Sequence, residues 1–496
     1  MRQFWLKGLL LGAAACATGV GHAQETVVVD AHAAAKPFPH FWEQMFGSGR
    51  AILTLRESYR DDVKAVKKVA DFKYVRFHAI FHDEVGVYNE DEHGNPVYNF
   101  AYVDAIYDGL LKNGVKPMVE ISFMPKKLAF PDALHPFWYK QNVSPPKSME
   151  KWDGLIHAFT QHLIDRYGVD EVASWYFEVW NEPNIDFWNG IPRLESYFEL
   201  YDHTARDIKA VNPRLRVGGP ATAAAQWVPE FLAHVAENHV PIDFVTTHGY
   251  GDDTVENMFN THEKIAVDDR VGRAVAKVRG EINKSPLPKL PLYWTEWNVP
   301  GLMQSRDTTY VGPALANTVR EADGNVDMLS FWTFSDVFEE GGPTTTPFRG
   351  DFGLRAFDGI NKPSYYAYGL LHELGPQRIA NKSDNVIVTK DADGGLALVA
   401  WNLVDPDQHG SDRTMELEFK GVAKDAKVTI ERVDNEHGNV LPKWAAMGKP
   451  LNPTPTQATQ LNEETAMPAP EQTTLVNGRL KLELEQNALV LVKVAR

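Results

Sequence analysis

The chain has a single cysteine, Cys16, in 496 residues. That residue falls inside an N-terminal segment built like a secretory leader. Arg2 and Lys7 precede the apolar run 9–17, and Gly21-His22-Ala23 puts small residues at the cleavage position. A leader over 1–23 implies a secreted or periplasmic protein whose mature chain has no cysteine and no disulfide. A lipid anchor on Cys16 would want a large apolar residue before it, where the chain has Ala13-Ala14-Ala15. No later run is long and apolar enough to span a membrane. Positive charge is also scarce: 50 Lys and Arg stand against 66 Asp and Glu, a net charge of −16. An acidic surface argues against nucleic acid and against polyanionic substrates. Asn142-Val143-Ser144 and Asn381-Lys382-Ser383 fit the glycosylation triplet, which only a eukaryotic host would use.

Two stretches organise what is present: WYFEVWNEPN at 175–184 and YWTEWN at 293–298. Each reads as a short buried strand, rich in aromatic and β-branched residues, that ends in a glutamate. Pro183 stops the first, and Pro300 closes the second. Each glutamate alone reads equally as a satisfied polar residue at a strand end. Together, Glu182 and Glu296 supply what glycoside hydrolysis needs. One acid protonates the leaving oxygen, and one carboxylate attacks carbon or activates water.

Around them the chain alternates. Strands are expected over 41–49, 73–78, 116–122, from Trp175, over 215–220, 242–248, from Tyr293 and over 326–333. Helices are expected over 57–70, 102–113, 149–167, 194–211, 226–238, 261–279, 310–322 and 363–373. Long loops are read over 79–99 and 123–146. Eight strand-then-helix units predict an α/β fold, a (β/α)8 TIM barrel over 24–379, with the glutamates closing strands four and seven on the catalytic face. After residue 380 the pattern turns to strands over 385–389, 396–403, 414–419, 427–433 and 479–494, with a Pro/Thr/Gln-rich loop over 450–470. A C-terminal β-sandwich over 380–496 is the natural reading. The early strand 26–30 has the option of joining it.

The segments VWNEPN, TTHGY at 246–250, TEWN and FWTFSDVFEE at 331–340 resemble the glycoside hydrolase family that contains β-xylosidases and α-L-iduronidases, family 39. The resemblance runs from about residue 38 to the C-terminus. It implies a retaining, exo-acting hydrolase with Glu182 as acid/base and Glu296 as nucleophile. Asn181 would bind the sugar 2-OH, or cap the turn at Pro183. Arg76 and His78, two residues apart and so on one side of their strand, would hold the nucleophile ionised and bind sugar, or form a buried structural pair. Tyr250 would donate to the nucleophile and His248 would touch sugar hydroxyls. Phe187, Trp188 and Trp332 would stack on sugar faces, or pack in the core. No metal or cofactor is expected, since no further His or Cys sits at ligand spacing and the reaction needs none.

Substrate and partner are read as a carbohydrate, xylo-oligosaccharide or an aryl or alkyl glycoside. Xylose is favoured over iduronate because Glu339 and Glu340 follow the eighth strand, and the xylosidases of the family carry a similar acidic pair there. Glu340 is the preferred ligand, with Arg349 and Arg355 as cations that would weaken the argument. An α-L-iduronidase, a β-glucosidase, an arabinosidase and a non-catalytic carbohydrate-binding protein are the alternatives.

Overall fold

The computed structural model describes residues 24–495; the leader read over 1–23 lies outside the described residues. Eight parallel strands form a closed barrel. They are β1 (Met45–Ser48), β2 (Tyr74–Phe77), β3 (Lys116–Ile121), β4 (Tyr176–Val179), β5 (Val217–Thr222), β6 (Phe244–His248), β7 (Leu292–Trp297) and β8 (Met328–Phe331). They pair in chain order, and β8 returns to β1. Helices cover the outside and side chains fill the inside, so β4 to β8 are buried at every position. Met45, Met118, Tyr176, Phe244, Tyr293 and Met328 form one apolar plug at the strand starts. Side chains repeat every second residue along a strand. Two residues above the plug, the same inward positions therefore carry Glu120, Glu178, Thr246 and Thr295.

Three expectations from sequence need correction. The stretch 79–99 is not all loop: Tyr88–Glu90 and Pro96–Tyr98 form a hairpin. Its turn is held by Asp91, whose carboxylate accepts the amides of His93 and Asn95. The helix expected over 261–279 instead runs Arg270–Lys284. A separate short helix, Val255–Phe259, ends at Asn260 in the left-handed conformation (φ 52°), and the buried apolar stripe begins only at Val271. Within 450–470, Pro455–Glu464 is helical, because Thr454 and Gln457 make a capping box.

The C-terminal strands form a seven-stranded sheet and a three-stranded sheet. Gln24–Asp30 lies in the smaller one, parallel to Arg413–Lys420 with Val27 opposite Leu417. Val27, Leu417 and Leu482 of the smaller sheet share one buried cluster with Val388, Leu398, Ile430 and Val492 of the larger. The alternate residues of the larger sheet, Ile387, Val399, Trp401 and Leu491, join the main core with Val311 and Leu371 of the last barrel helices. Among the described residues, no helix is long and apolar enough to cross a membrane.

One buried ion cluster braces the catalytic face. Lys362, fully buried at the start of helix Pro363–His372, reaches Asp307 Oδ1 at 2.7 Å and Asp336 Oδ2 at 2.6 Å. Asp307 follows β7 and accepts Gly350 N; Asp336 follows β8 and accepts Gly353 N. Removing one partner of a buried ion cluster leaves uncompensated charge. Lys362→Met should cost about 3–5 kcal/mol, read as a lower midpoint in denaturant; an unchanged midpoint would contradict the bracing role.

Candidate active site

The site grows from the inward positions above the plug. Arg76 on β2 has no solvent exposure, and every polar atom of its guanidinium is used. Nε donates to Glu178 Oε2 (2.5 Å) and Nη1 to Glu296 Oε1 (2.6 Å). Nη2 donates to Asn181 Oδ1 (2.9 Å) and lies 2.8 Å from Glu120 Oε2. Arg76 thus ties β2 to β3, β4 and β7. Its carboxylate partners hold it charged against the penalty of burial.

Glu296 sits in β7 where the register shifts against both neighbours. Such a bulge re-aims a side chain; here both Thr295 and Glu296 point toward barrel partners. Glu296 Oε1 takes Arg76, and Oε2 takes the Tyr250 hydroxyl at 2.6 Å. Glu182 lies three residues beyond β4, with φ of 44°, and its amide is fixed on Ala221 O at 2.8 Å. Strained backbone of this kind is found where a side chain must be aimed. One oxygen of Glu182 and one of Glu296 come within 4.8 Å of each other, with His248 Nδ1 at 3.1 Å from the first residue and 3.6 Å from the second.

The two carboxyls live in different surroundings. Burial, then the charges of Glu296 and Asp253, push Glu182 well above the usual carboxylate range, with Arg76 pulling the other way. Glu296 has a guanidinium and a phenol as partners. The two carboxyls therefore differ in what surrounds them: one is buried beside like charge, and the other receives two donors.

The other expected residues divide. His78 Nδ1 donates to Glu120 Oε2 (2.7 Å), and its Nε2 lies 3.8 Å from Glu296 and 3.7 Å from Glu340. It belongs to the site and to the buried pair at once. Tyr250 touches Glu296 as expected. His248 does not face open space: it is fully buried, with Nδ1 on Glu182 and Nε2 on Thr295 Oγ1 at 3.0 Å. Both ring nitrogens are thus taken by protein partners. Glu340 projects at His78, and burial, with Glu296 and Glu120 against His78, pushes its carboxyl up to about 8. Glu339 turns away onto Arg50 (3.1 Å) and Arg56 (2.6 Å).

Arg349 pairs with Asp351, and Arg355 with Asp62. Neither is the loose cation considered from sequence. Trp332 packs 4.7 Å from the His78 ring and under Arg76. It lies so close to Gly47 that a Cβ there would overlap it. Phe187 stacks on His135 at 4.1 Å and stands 6.4 Å from His78, a side wall. Trp188 turns outward to Ser196 and Trp180, away from the carboxyls.

Sequence reasoning missed Glu120, Glu178, Thr295 and His135. The signal for the two glutamates was there, a lone charge inside an apolar strand in KPMVEI and YFEV. Donor atoms converge closely enough for a cation at Glu182, His248 and Glu296, and at His40, Glu43 and His372 on the opposite end. At the first set, Arg76 already supplies the positive charge.

Because the Glu296 charge adds to burial in raising Glu182, Glu296→Gln should lower the Glu182 pKa. Carbon-13 NMR titration of the Glu182 carboxyl reads this directly; an unmoved titration would mean the two groups are not coupled.

Comparison with known proteins identifies the family. The model of Glycosyl hydrolases family 39 matches residues 25–481. A β-xylosidase of Geobacillus stearothermophilus is 37% identical over 474 residues, covering 92% of this chain and 93% of that protein. The crystal structure of a monomeric β-xylosidase from Caulobacter crescentus CB15 superposes with a TM-score of 0.85 at 36% identity, covering 95% of this chain and 99% of that one. An α-L-iduronidase of Homo sapiens is 33% identical over 124 residues, 25% of this chain and 17% of that protein. The chain belongs to family 39 of the glycosyl hydrolases.

Proposed function

We propose that the protein is a retaining, exo-acting β-xylosidase that releases xylose from xylo-oligosaccharides or from aryl and alkyl β-xylosides. The observation that carries the reading is the convergence of one Glu182 oxygen and one Glu296 oxygen on His248 Nδ1, at 3.1 and 3.6 Å, with the two oxygens less than 4.8 Å apart. Carboxyls about 5–5.5 Å apart attack carbon directly, whereas about 6.5–9.5 Å leaves room for an intervening water and gives inversion.

Glu296, hydrogen-bonded by Arg76 and Tyr250, attacks the anomeric carbon while Glu182 protonates the departing oxygen. The sugar is then esterified to Glu296. In the second step Glu182, now a carboxylate, takes a proton from water as the water attacks the same carbon and frees Glu296. Asn181 uses its Oδ1 to accept from Arg76, which leaves its amide N–H groups for the sugar 2-OH. Such a contact strengthens in the transition state. His78 and Glu340 offer donors and acceptors to the remaining hydroxyls, and Trp332 and Phe187 supply apolar surface.

Xylose is favoured over iduronate on charge. A uronate carboxylate would lie beside the acidic Glu296 and Glu182, while Arg50, Arg56, Arg349 and Arg355 are already paired with acidic side chains. The length of the likeness to the β-xylosidase also supports xylose. We further read the two C-terminal sheets as a β-sandwich accessory domain over 380–496 that borrows strand 24–30. We read the mature protein as secreted or periplasmic.

Proton NMR of the first-formed sugar should show β-xylose; α-xylose appearing first would remove the retaining mechanism. Across an aryl glycoside panel the β-xyloside should lead, and Glu340→Ala should lose most of that activity. Faster turnover of the α-iduronide, the β-glucoside or an arabinoside would change the sugar assignment. Glu296→Ala should be slow on every substrate, and azide should not restore retention but yield a glycosyl azide of inverted configuration. Glu182→Ala should lose roughly 10²–10⁴-fold on xylobiose and much less on an activated aryl xyloside. Equal losses on the two substrates would contradict the acid assignment.

A further inference from the structure

The acid glutamate meets one histidine, and the proton on that histidine can be placed by counting hydrogens. Burial, then Arg76 and His78, hold His248 well below the usual histidine range, so it is neutral and carries one N–H. Its Nε2 faces Thr295 Oγ1 at 3.0 Å, and its Nδ1 faces Glu182 Oε1 at 3.1 Å. Thr295 has one hydroxyl hydrogen, and it donates to Glu178 Oε1 at 2.8 Å. Toward His248, Thr295 is therefore an acceptor. The single N–H of His248 must sit on Nε2, which leaves a bare lone pair on Nδ1. A lone pair facing a carboxylate is repulsive; facing a carboxylic acid, it accepts the O–H.

We propose that Thr295 and Glu178 are positioning residues that fix His248 as the Nε2–H tautomer and thereby hold the acid proton on Glu182. The proposal rests on Glu182 being the acid/base. It adds a cause for the protonated state beyond burial and the nearby charge of Glu296. A hydrogen bond made only by the neutral form of a carboxyl disfavours its ionisation. Glu178 anchors the chain from the far side. Burial raises its own carboxyl, while Arg76 Nε at 2.5 Å opposes that and holds its orientation. Neither Thr295 nor Glu178 touches the place where substrate must lie: both have no solvent exposure and sit below His248 in the barrel.

Thr295→Val keeps the shape and removes the acceptor. Nothing then opposes the other tautomer, in which Nδ1–H donates to an ionised Glu182 and stabilises it. The other groups that act on Glu182 stay as they are: Glu296 on β7, Asp253 after β6, Arg76 on β2 and Glu340 after β8. Those acting on His248, Arg76 and His78, are likewise unchanged.

The test is the pH profile of kcat/KM on xylobiose, which needs the acid, beside an activated aryl β-xyloside, which needs it little. In Thr295→Val the basic limb on xylobiose should move to lower pH by about one unit, the worth of one hydrogen bond to a charged group. Thr295→Ser, which keeps the hydroxyl, should return it. Above that limb the variant should lose xylobiose activity several-fold more than aryl xyloside activity. A basic limb that stays in place, or that Ser fails to restore, overturns the proposal, as does an equal loss on both substrates at every pH. Carbon-13 NMR titration of Glu182 in Thr295→Val reads the same shift without turnover. Full xylobiose activity in Glu182→Ala would instead remove the acid assignment on which the proposal rests.

Discussion

A single buried guanidinium holds this active site together. Arg76 has no contact with water, and an unpaired charge there would cost several kcal/mol. The cost is offset only because Glu120, Glu178 and Glu296 approach from three other strands, and Asn181 from the loop that follows β4. Each of these residues is useful where it stands because Arg76 is there. Glu296 gains a counter-charge, Asn181 is turned so that its amide hydrogens are free, and Glu178 is held as an anchor for Thr295. The barrel makes this possible, since only a closed ring of strands points so many side chains at one axis.

The chemistry depends on keeping two like groups different. Glu182 and Glu296 are both glutamates, both nearly buried, and within one hydrogen-bonded histidine of each other. The strand bulge at Thr295 and Glu296 sends one side chain to Arg76 and Tyr250. The strained turn at Glu182 sends the other to neutral His248 and away from the cation. Environment is what separates two residues of one type: burial and like charge act on Glu182, while Glu296 receives two donors.

The loops that complete the pocket are held by ions of their own. Lys362 joins the segments after β7 and β8, while Arg50 and Arg56 pin Glu339. With Glu339 occupied, its neighbour Glu340 is the side chain that faces His78. Two adjacent glutamates thus take opposite tasks, one structural and one at the site, because a positive φ at Glu339 turns the chain between them.

Much of this was legible in the chain itself. Strand and helix alternation follows local hydrophobic patterning, so the barrel and the strand numbers of Glu182 and Glu296 could be read without coordinates. The i, i+2 pairs Arg76/His78 and His248/Tyr250 follow from the period of a strand. Local capping chemistry was also written there, at Thr454 and Gln457, but composition of the loop around it concealed the helix. What only the tertiary structure decided is which distant groups meet. No local pattern distinguishes Glu120 and Glu178 as partners of Arg76, assigns Arg355 to Asp62, or sets His248 between Glu182 and Thr295. Those outcomes depend on strand tilt, on a one-residue register shift in β7 and on the closing of the ring, and these are properties of eight strands together.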